Sequence, residues 1–312
     1  MSNNFQYLVT GKNGLIGSAF VRFFKKSQTS FMAISKNDLN LLNYKETKSF
    51  IKDHNFETII NCAAMVGGIK ANSSRPYDFL SNNTRIQNNI MDASIKSSVK
   101  NIVLLNSNCS YPSDATQPFK ESEFLNGEPH KSNLGYALAK RSAFLQSVPL
   151  LEQYKIKTFH PIPCSLYGPN DNFNLENSHF IAAVIRKLIT AKENNANEIR
   201  FWGSGNPRRE FMYVDDAVEG IKFILDKNYS QKLINICWGK DHKLLDVINI
   251  CSEYIGFKGL INWDKNKPDG MMRKLQSAEI INKIGWSPKV SLKEGLYQTI
   301  DWFLENKNKL RL

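Results

Sequence analysis

Gln6-Tyr7-Leu8-Val9-Thr10-Gly11-Lys12-Asn13-Gly14-Leu15-Ile16-Gly17 sets the reading of the whole chain. Residues 6–10 have the apolar character of a buried strand, and an amphipathic pattern continues from Leu15 to about Lys26. A strand, a tight glycine turn and a helix in immediate succession turn a glycine pattern into a dinucleotide site. Gly11 permits the turn, Gly14 lets backbone approach a pyrophosphate, and Gly17 lets the helix pack on the strand. The phosphates then meet the helix N-terminus, with Asn13, Leu15 and Ile16 completing the cofactor-binding turn. Without those flanks the same glycines would be an ordinary loop.

A second strand is expected at residues 31–34, ending in Ser35-Lys36. An NAD site usually has an acidic residue here to hold the ribose 2′-hydroxyl, whereas a 2′-phosphate calls for a cation or a small polar group. Ser35, Lys36 and Lys12 therefore favour NADP(H), and Asp38 is expected to support the following loop. Further strands are expected at residues 58–63, 101–105 and 157–161, alternating with helical stretches, among them 76–98 and the segment bearing Tyr136. This alternation implies an α/β fold, a Rossmann-type doubly wound parallel sheet. Active sites in such sheets lie beyond the carboxyl ends of the strands, where both the glycine turn and Ser107 fall.

After Pro163 the alternation loosens. His179 opens a helix to about Glu193, residues 201–211 turn between short strands, and a helix from Val214 leads to a strand at 233–237. The expected division is a cofactor domain over 1–165, with 211–238 returning to it, and a smaller substrate domain over 166–312. Lys267-Pro268-Asp269-Gly270 and Gly285-Trp286-Ser287-Pro288 would complete the smaller domain.

The chemistry is first suggested by Tyr136-Ala-Leu-Ala-Lys140. Residues four apart share a helix face, so a phenol and an ammonium can address one substrate atom, and the cation is expected to lower the tyrosine pKa. The same spacing also occurs in ordinary helices as a surface pair. The glycine turn and Ser107 supply the context for a catalytic reading.

Composition narrows the classes. Of 312 residues 42% are apolar, enough for a large core, and no apolar run approaches the roughly 20 residues that span a bilayer. Met1 to Phe5 carries no signal-peptide pattern, so a cytoplasmic protein is expected. Five widely spaced cysteines suggest neither a disulfide framework nor a zinc site. The net charge of +12 is spread over scattered lysines with no interleaved aromatic run, which argues against a nucleic-acid surface.

Several motifs now fall in order: Ala63-Ala-Met-Val-Gly-Gly-Ile69, Ser107-Asn-Cys-Ser-Tyr-Pro112, Leu166-Tyr-Gly-Pro-Asn-Asp-Asn-Phe173, Asn177-Ser-His179, Trp202-Gly-Ser-Gly205 through Arg209-Glu-Phe211, and 267–270. Together they resemble the extended short-chain dehydrogenase/reductases and, within them, the GDP-L-fucose synthases, which are GDP-4-keto-6-deoxymannose 3,5-epimerase-4-reductases. The resemblance implies a homodimer with an NADP(H)-binding large domain and a GDP-sugar-binding small domain, serving nucleotide-sugar or surface-polysaccharide synthesis.

Residue by residue, the resemblance implies that Cys109 and His179 are base and acid at C3 and C5. Tyr136 protonates O4 during reduction, Ser107 hydrogen-bonds the same oxygen, and Lys140 binds the nicotinamide ribose. Ala63 and His179 match cofactor positions; Lys187 and Arg209 match cations on the diphosphate, and Trp202 and Asp269 match substrate positions. Typical members have arginine at Asn13, lysine at Met65, serine at Asn108 and Thr-Asn at Cys164-Ser165. These departures leave open a C4 reductase acting on a GDP-4-keto-heptose epimerised elsewhere. A UDP-sugar epimerase with retained NAD and a non-catalytic dinucleotide-binding regulator are the remaining alternatives, although a regulator would not be expected to keep both Tyr136 and Lys140.

Overall fold

Tyr7-Leu8-Val9-Thr10 is buried along its whole length, as a strand must be when helices cover both faces of its sheet. The computed structural model describes residues 5–267 and 269–310. The first half runs β1 (Tyr7–Thr10), α1 (Leu15–Lys26), β2 (Phe31–Ile34), α2 (Tyr44–Asp53), β3 (Thr58–Asn61), α3 (Ile69–Ser74), α4 (Pro76–Ser94), β4 (Asn101–Leu104), α5 (Leu134–Leu145), α6 (Ser147–Tyr154) and β5 (Lys157–Pro163). The second runs β6 (Ser165–Tyr167), α7 (Phe180–Glu193), β7 (Glu198–Trp202), β8 (Arg208–Arg209), β9 (Phe211–Tyr213), α8 (Val214–Asp226), β10 (Leu233–Ile236), β11 (His242–Lys243), α9 (Leu244–Ile255), β12 (Leu260–Asp264), β13 (Arg273–Lys274), α10 (Glu279–Lys283) and α11 (Leu292–Glu305).

Six strands form one all-parallel sheet in the order β10-β5-β4-β3-β1-β2. The chain leaves β1 toward β2 and then returns to the other side of β1, so the crevice of the doubly wound fold opens at the carboxyl ends of β1 and β3. Those ends are tied together: Thr10 Oγ1 donates to Asn61 Oδ1 at 2.7 Å, and the Ala63 N–H donates to Thr10 Oγ1 at 3.1 Å.

Helices cover both faces. On one, Ala19, Phe20 and Phe24 of α1 join Ala217 and Ile221 of α8, with the Phe24 ring stacked 4.6 Å from that of Tyr7. On the other, Ile51 of α2, Ile90 of α4 and Leu150 of α6 pack on Ile59 and Ile102. Each fully buried large apolar side chain contributes roughly 1.5–3 kcal/mol.

The second body has its own core, in which Ile185 and Leu188 of α7, Val247 of α9 and Leu296 of α11 surround Phe173 and Phe211. Its strands are short, pairing as β6 with β9, β7 with β12, and β11-β8-β13. One expected assignment is corrected. Ala278, Ile281 and Trp286 do not complete the smaller body but enter the core of the large sheet, because Trp286 packs over the bare backbone of Gly220 in α8. The helix expected to reach residue 98 stops at Ser94, where Ile95 turns extended and Lys96 adopts a positive φ of 62°.

Candidate active site

The glycine turn fits a dinucleotide pyrophosphate on steric grounds. Gly11 has φ +67°, and a Cβ there would sit 2.9 Å from the Cys62 carbonyl carbon; one on Gly17 would lie 2.1 Å from the Gly11 oxygen. At Gly14 the added carbon would have that same oxygen at 3.3 Å as its single close neighbour among the described residues, so the turn presents bare backbone outward. Gly14 is the extended N-cap of α1 and offers no side-chain cap, which leaves the helix's first N–H groups to an anion. Asn13 precedes this cap, while the side chains of Leu15 and Ile16 pack against the core, so their expected share in cofactor binding falls to their backbone.

Beyond β2, Asp38 organises the residues expected to meet a 2′-phosphate. Its Oδ2 accepts from the Ser35 N–H and hydroxyl, each at 2.7 Å, and lies 2.9 Å from Lys12 Nζ. The Lys12 ammonium and the two Ser35 donors hold its carboxyl well below the usual carboxylate range. Lys36 is exposed beside them.

Ser107, just past β4, caps a short turn over Asn108–Ser110 by accepting the Cys109 N–H at 3.2 Å. Opposite stands α5, seated so closely on the start of α4 that a Cβ on Gly135 would fall 1.9 Å from the Pro76 carbonyl oxygen. That contact fixes the neighbouring Tyr136. Lys140, only 4% exposed, places Nζ 5.5 Å from the centre of the Tyr136 ring. Burial lowers its ammonium to about 8.

The expected effect of Lys140 on Tyr136 requires correction. Burial, and then the negative charge of a Cys109 thiolate, push the phenol up. The cation lies over the ring, and the penalty for burying a phenolate dominates.

Cys109 moves in the opposite direction. Burial alone would raise its thiol, but Lys274, Ser107 and His179 together bring it below the ordinary thiol value. Lys274 Nζ donates to the sulfur at 3.3 Å. His179 is the N-cap of α7, with Nδ1 3.7 Å from Asp171 Oδ1. The Asp171 carboxylate is buried and steadied by the Asn172 N–H at 2.7 Å. Thus Ser107 and His179 act on Cys109, Cys109 acts on Tyr136, and Lys140 lies over the Tyr136 ring, so the five side chains are brought together.

The residues expected at the substrate sit on the second body. Lys187 of α7 lies over the Phe201 ring at 5.4 Å, and burial lowers its ammonium. Arg209 is half-buried on β8, and burial lowers its guanidinium against an opposing pull from Asp269. Trp202 is 71% exposed. Both Asp269 oxygens accept from Ser204, from N–H at 2.6 Å and hydroxyl at 2.7 Å, bracing the turn after Trp202. Pro268 of the same motif lies outside the described residues. Lys274 and Asp171 were missed as site residues. Asp171 stands inside the Leu166–Phe173 motif, which is its one signal in the sequence, whereas Lys274 carries no local signal in its two-residue strand.

The family model described as NAD dependent epimerase/dehydratase family matches residues 7–237. A putative GDP-L-fucose synthase of Arabidopsis thaliana is 38% identical over 299 residues, covering 96% of this chain and 91% of the plant protein. The GDP-L-colitose synthase of Yersinia pseudotuberculosis is 36% identical over 304 residues, covering 96% of this chain and 98% of its own. The solved structure of a GDP-L-fucose synthetase from Naegleria fowleri bound to NADP matches with a TM-score of 0.92 at 26% identity, over 100% of this chain and 96% of that one.

Proposed function

Because the chain belongs to the GDP-L-fucose synthase group of the NAD dependent epimerase/dehydratase family, we propose that it uses NADP(H) to reduce the C4 ketone of a GDP-linked 4-keto sugar and inverts the flanking carbons C3 and C5. The observation that carries this reading is the Cys109 thiol, met by Lys274 Nζ at 3.3 Å, in the same site as the Tyr136 phenol and His179.

A ketone at C4 acidifies the protons on both neighbouring carbons, since loss of either leaves an enolate on O4. The Cys109 thiolate takes such a proton, becoming a thiol, while the C–H electrons pass to O4, where the Ser107 hydroxyl donates a hydrogen bond. His179 returns a proton to carbon on the opposite face, and the centre is inverted. NADPH supplies the hydride for C4. Tyr136 then gives its proton to O4, a transfer that suits a phenol kept protonated by burial. Lys140 is held by burial where it binds the nicotinamide ribose. Gly11, Asn13, Gly14, Gly17 and the backbone of Leu15 and Ile16 hold the pyrophosphate, Ala63 borders the cofactor, and Ser35, Lys36 and Lys12 take the 2′-phosphate. Lys187 and Arg209 hold the GDP diphosphate, and Trp202 lines that pocket behind the Asp269 brace.

The large-sheet body is the cofactor domain and the second body the GDP-sugar domain. The enzyme works as a homodimer, a reading supported by Leu138 and Leu145 exposed on α5 beside a groove of about 730 Å³ that Met91 and Tyr154 also line. No helix among the described residues is long and apolar enough to cross a membrane. All five cysteines are free thiols, which fits work in the reducing cytoplasm.

The test is incubation with NADPH and candidate GDP-4-keto sugars in D₂O, with NMR of the products. Reduction at C4 with deuterium at C3 and C5 is expected. NADPH left unconsumed by every such sugar would overturn the assignment.

A further inference from the structure

We propose that Lys274 is a positioning residue for epimerisation: its ammonium pairs with the Cys109 sulfur and stabilises the thiolate that removes the sugar proton. The inference rests on the reading of Cys109 as the base. The 3.3 Å approach of Nζ to Sγ is the direct observation, and no carboxylate lies within ion-pair distance of Lys274 among the described residues. The ammonium is therefore directed to sulfur without a competing anion.

Its strand is built to deliver it there. In the β8–β13 pair Arg273 is opposite Arg208 and Lys274 opposite Arg209. Arg208 and Arg273 both bind the Asp241 carboxylate through Nε, one to each oxygen. Alternation along a strand then sends Arg209 and Lys274 to the other face.

Backbone contacts hold β13 from both bodies. The Leu275 N–H donates to Gln117 Oε1 at 2.9 Å and the Phe119 N–H to the Leu275 carbonyl at 2.9 Å, while Gln117 Nε2 donates to the Arg273 carbonyl at 2.8 Å. From the other side the Gln276 N–H donates to Glu210 Oε2 at 3.1 Å.

The titratable and charged groups facing Cys109 are Lys274, His179 and Tyr136. Lys274 is the cation whose hydrogen bond reaches the sulfur, and burial without it would favour the neutral thiol.

The test measures alkylation of Cys109 by iodoacetamide across pH in the cofactor-free enzyme, by peptide mass spectrometry, for wild type, Lys274→Met and Lys274→Arg. In Lys274→Met the midpoint should rise by at least about one pH unit, so that alkylation at pH 7 slows roughly tenfold, and Lys274→Arg should recover most of it. With a GDP-4-keto sugar in D₂O, deuterium exchange should fall at least tenfold in Lys274→Met, whereas NADPH oxidation with the already epimerised 4-keto sugar should hold near the wild-type rate. An unchanged alkylation profile overturns the proposal, and so does an equal loss of exchange and reduction, which would make Lys274 a phosphate contact only. If Lys274→Met does not fold, Lys274→Gln is judged by the same criteria. Exchange that persists in Cys109→Ser would instead refute Cys109 as the base, leaving the alkylation profile as separate evidence on the Lys274–Cys109 pair.

Discussion

Replacing Gly135 by alanine tests how the catalytic helix is seated. Helix propensity alone favours the change by about 1 kcal/mol. The packing opposes it, because the new carbon would lie 1.9 Å from the Pro76 carbonyl oxygen and 2.8 Å from its carbon. The closest ordinary carbon–oxygen contacts are at roughly 3.3 Å, so α5 must retreat by about 1.4 Å or its first turn must open. Overpacking of this kind costs about 1–3 kcal/mol, and Tyr136, one residue on, moves with the helix. A displacement near 1 Å at reacting groups lowers the rate on the order of 100-fold. Set against the propensity gain, the net cost is up to about 2 kcal/mol, and differential scanning calorimetry should show a melting temperature lowered by as much as several degrees, at roughly 2–4 °C per kcal/mol. NADPH oxidation with a GDP-4-keto sugar should show kcat reduced by about two orders of magnitude. A Gly135→Ala enzyme that melts at or above the wild-type temperature with kcat within a few-fold would refute the claim that this contact sets Tyr136.

Tyr136→Phe should lose about 10² to 10⁴ of its reduction rate, the usual share of a general acid, while binding NADPH as before in a fluorescence titration; near wild-type kcat would exclude it as the donor. Kinetics with both cofactors should favour NADPH, and Lys36→Glu should shift the preference toward NADH; an equal or better kcat/KM with NADH in the wild type contradicts the reading of Ser35, Lys36 and Lys12. Glu210 makes stability fall with pH. Burial raises its carboxyl from the ordinary 4.5 to about 7, so between those values the native state holds a proton that the unfolded chain has released. The stabilisation is full below pH 4.5 and is lost as pH rises through 7, at about 1.4 kcal/mol per unit. Melting curves should slope downward across that window in the wild type and flatten in Glu210→Gln, and an unchanged slope would assign the effect to another group.

The large sheet was legible because its signals are local. Tyr7-Leu-Val-Thr and Thr58-Ile-Ile-Asn are short apolar runs, the first followed at once by Gly11, and the glycine turn has one steric solution between a strand and a helix. The residues of the candidate site were legible as motifs, but the electrostatics between them were not. Spacing places Tyr136 and Lys140 on one helix face, yet the sign of the tyrosine shift depends on burial and on Cys109, which approaches from another loop. The Lys274–Cys109 pair joins positions 165 residues apart through a strand of two residues, too short to show any period. Trp286 was assigned to the wrong body because its place depends on the cavity over Gly220, which only the folded chain presents.

The pairing of β8 with β13 also limits how this protein can change length. Each strand has two residues, and in each one member reaches the Asp241 clamp while the other turns to the site. A strand's faces exchange when its register slips by a single residue. Removing one residue between Asp264 and Arg273 would thus draw Lys274 to the clamp position and set Leu275 in the place beside Cys109, with composition, charge and paired backbone nearly intact. Insertions and deletions in that loop would be tolerated in pairs better than singly, so loop length there is itself a functional property.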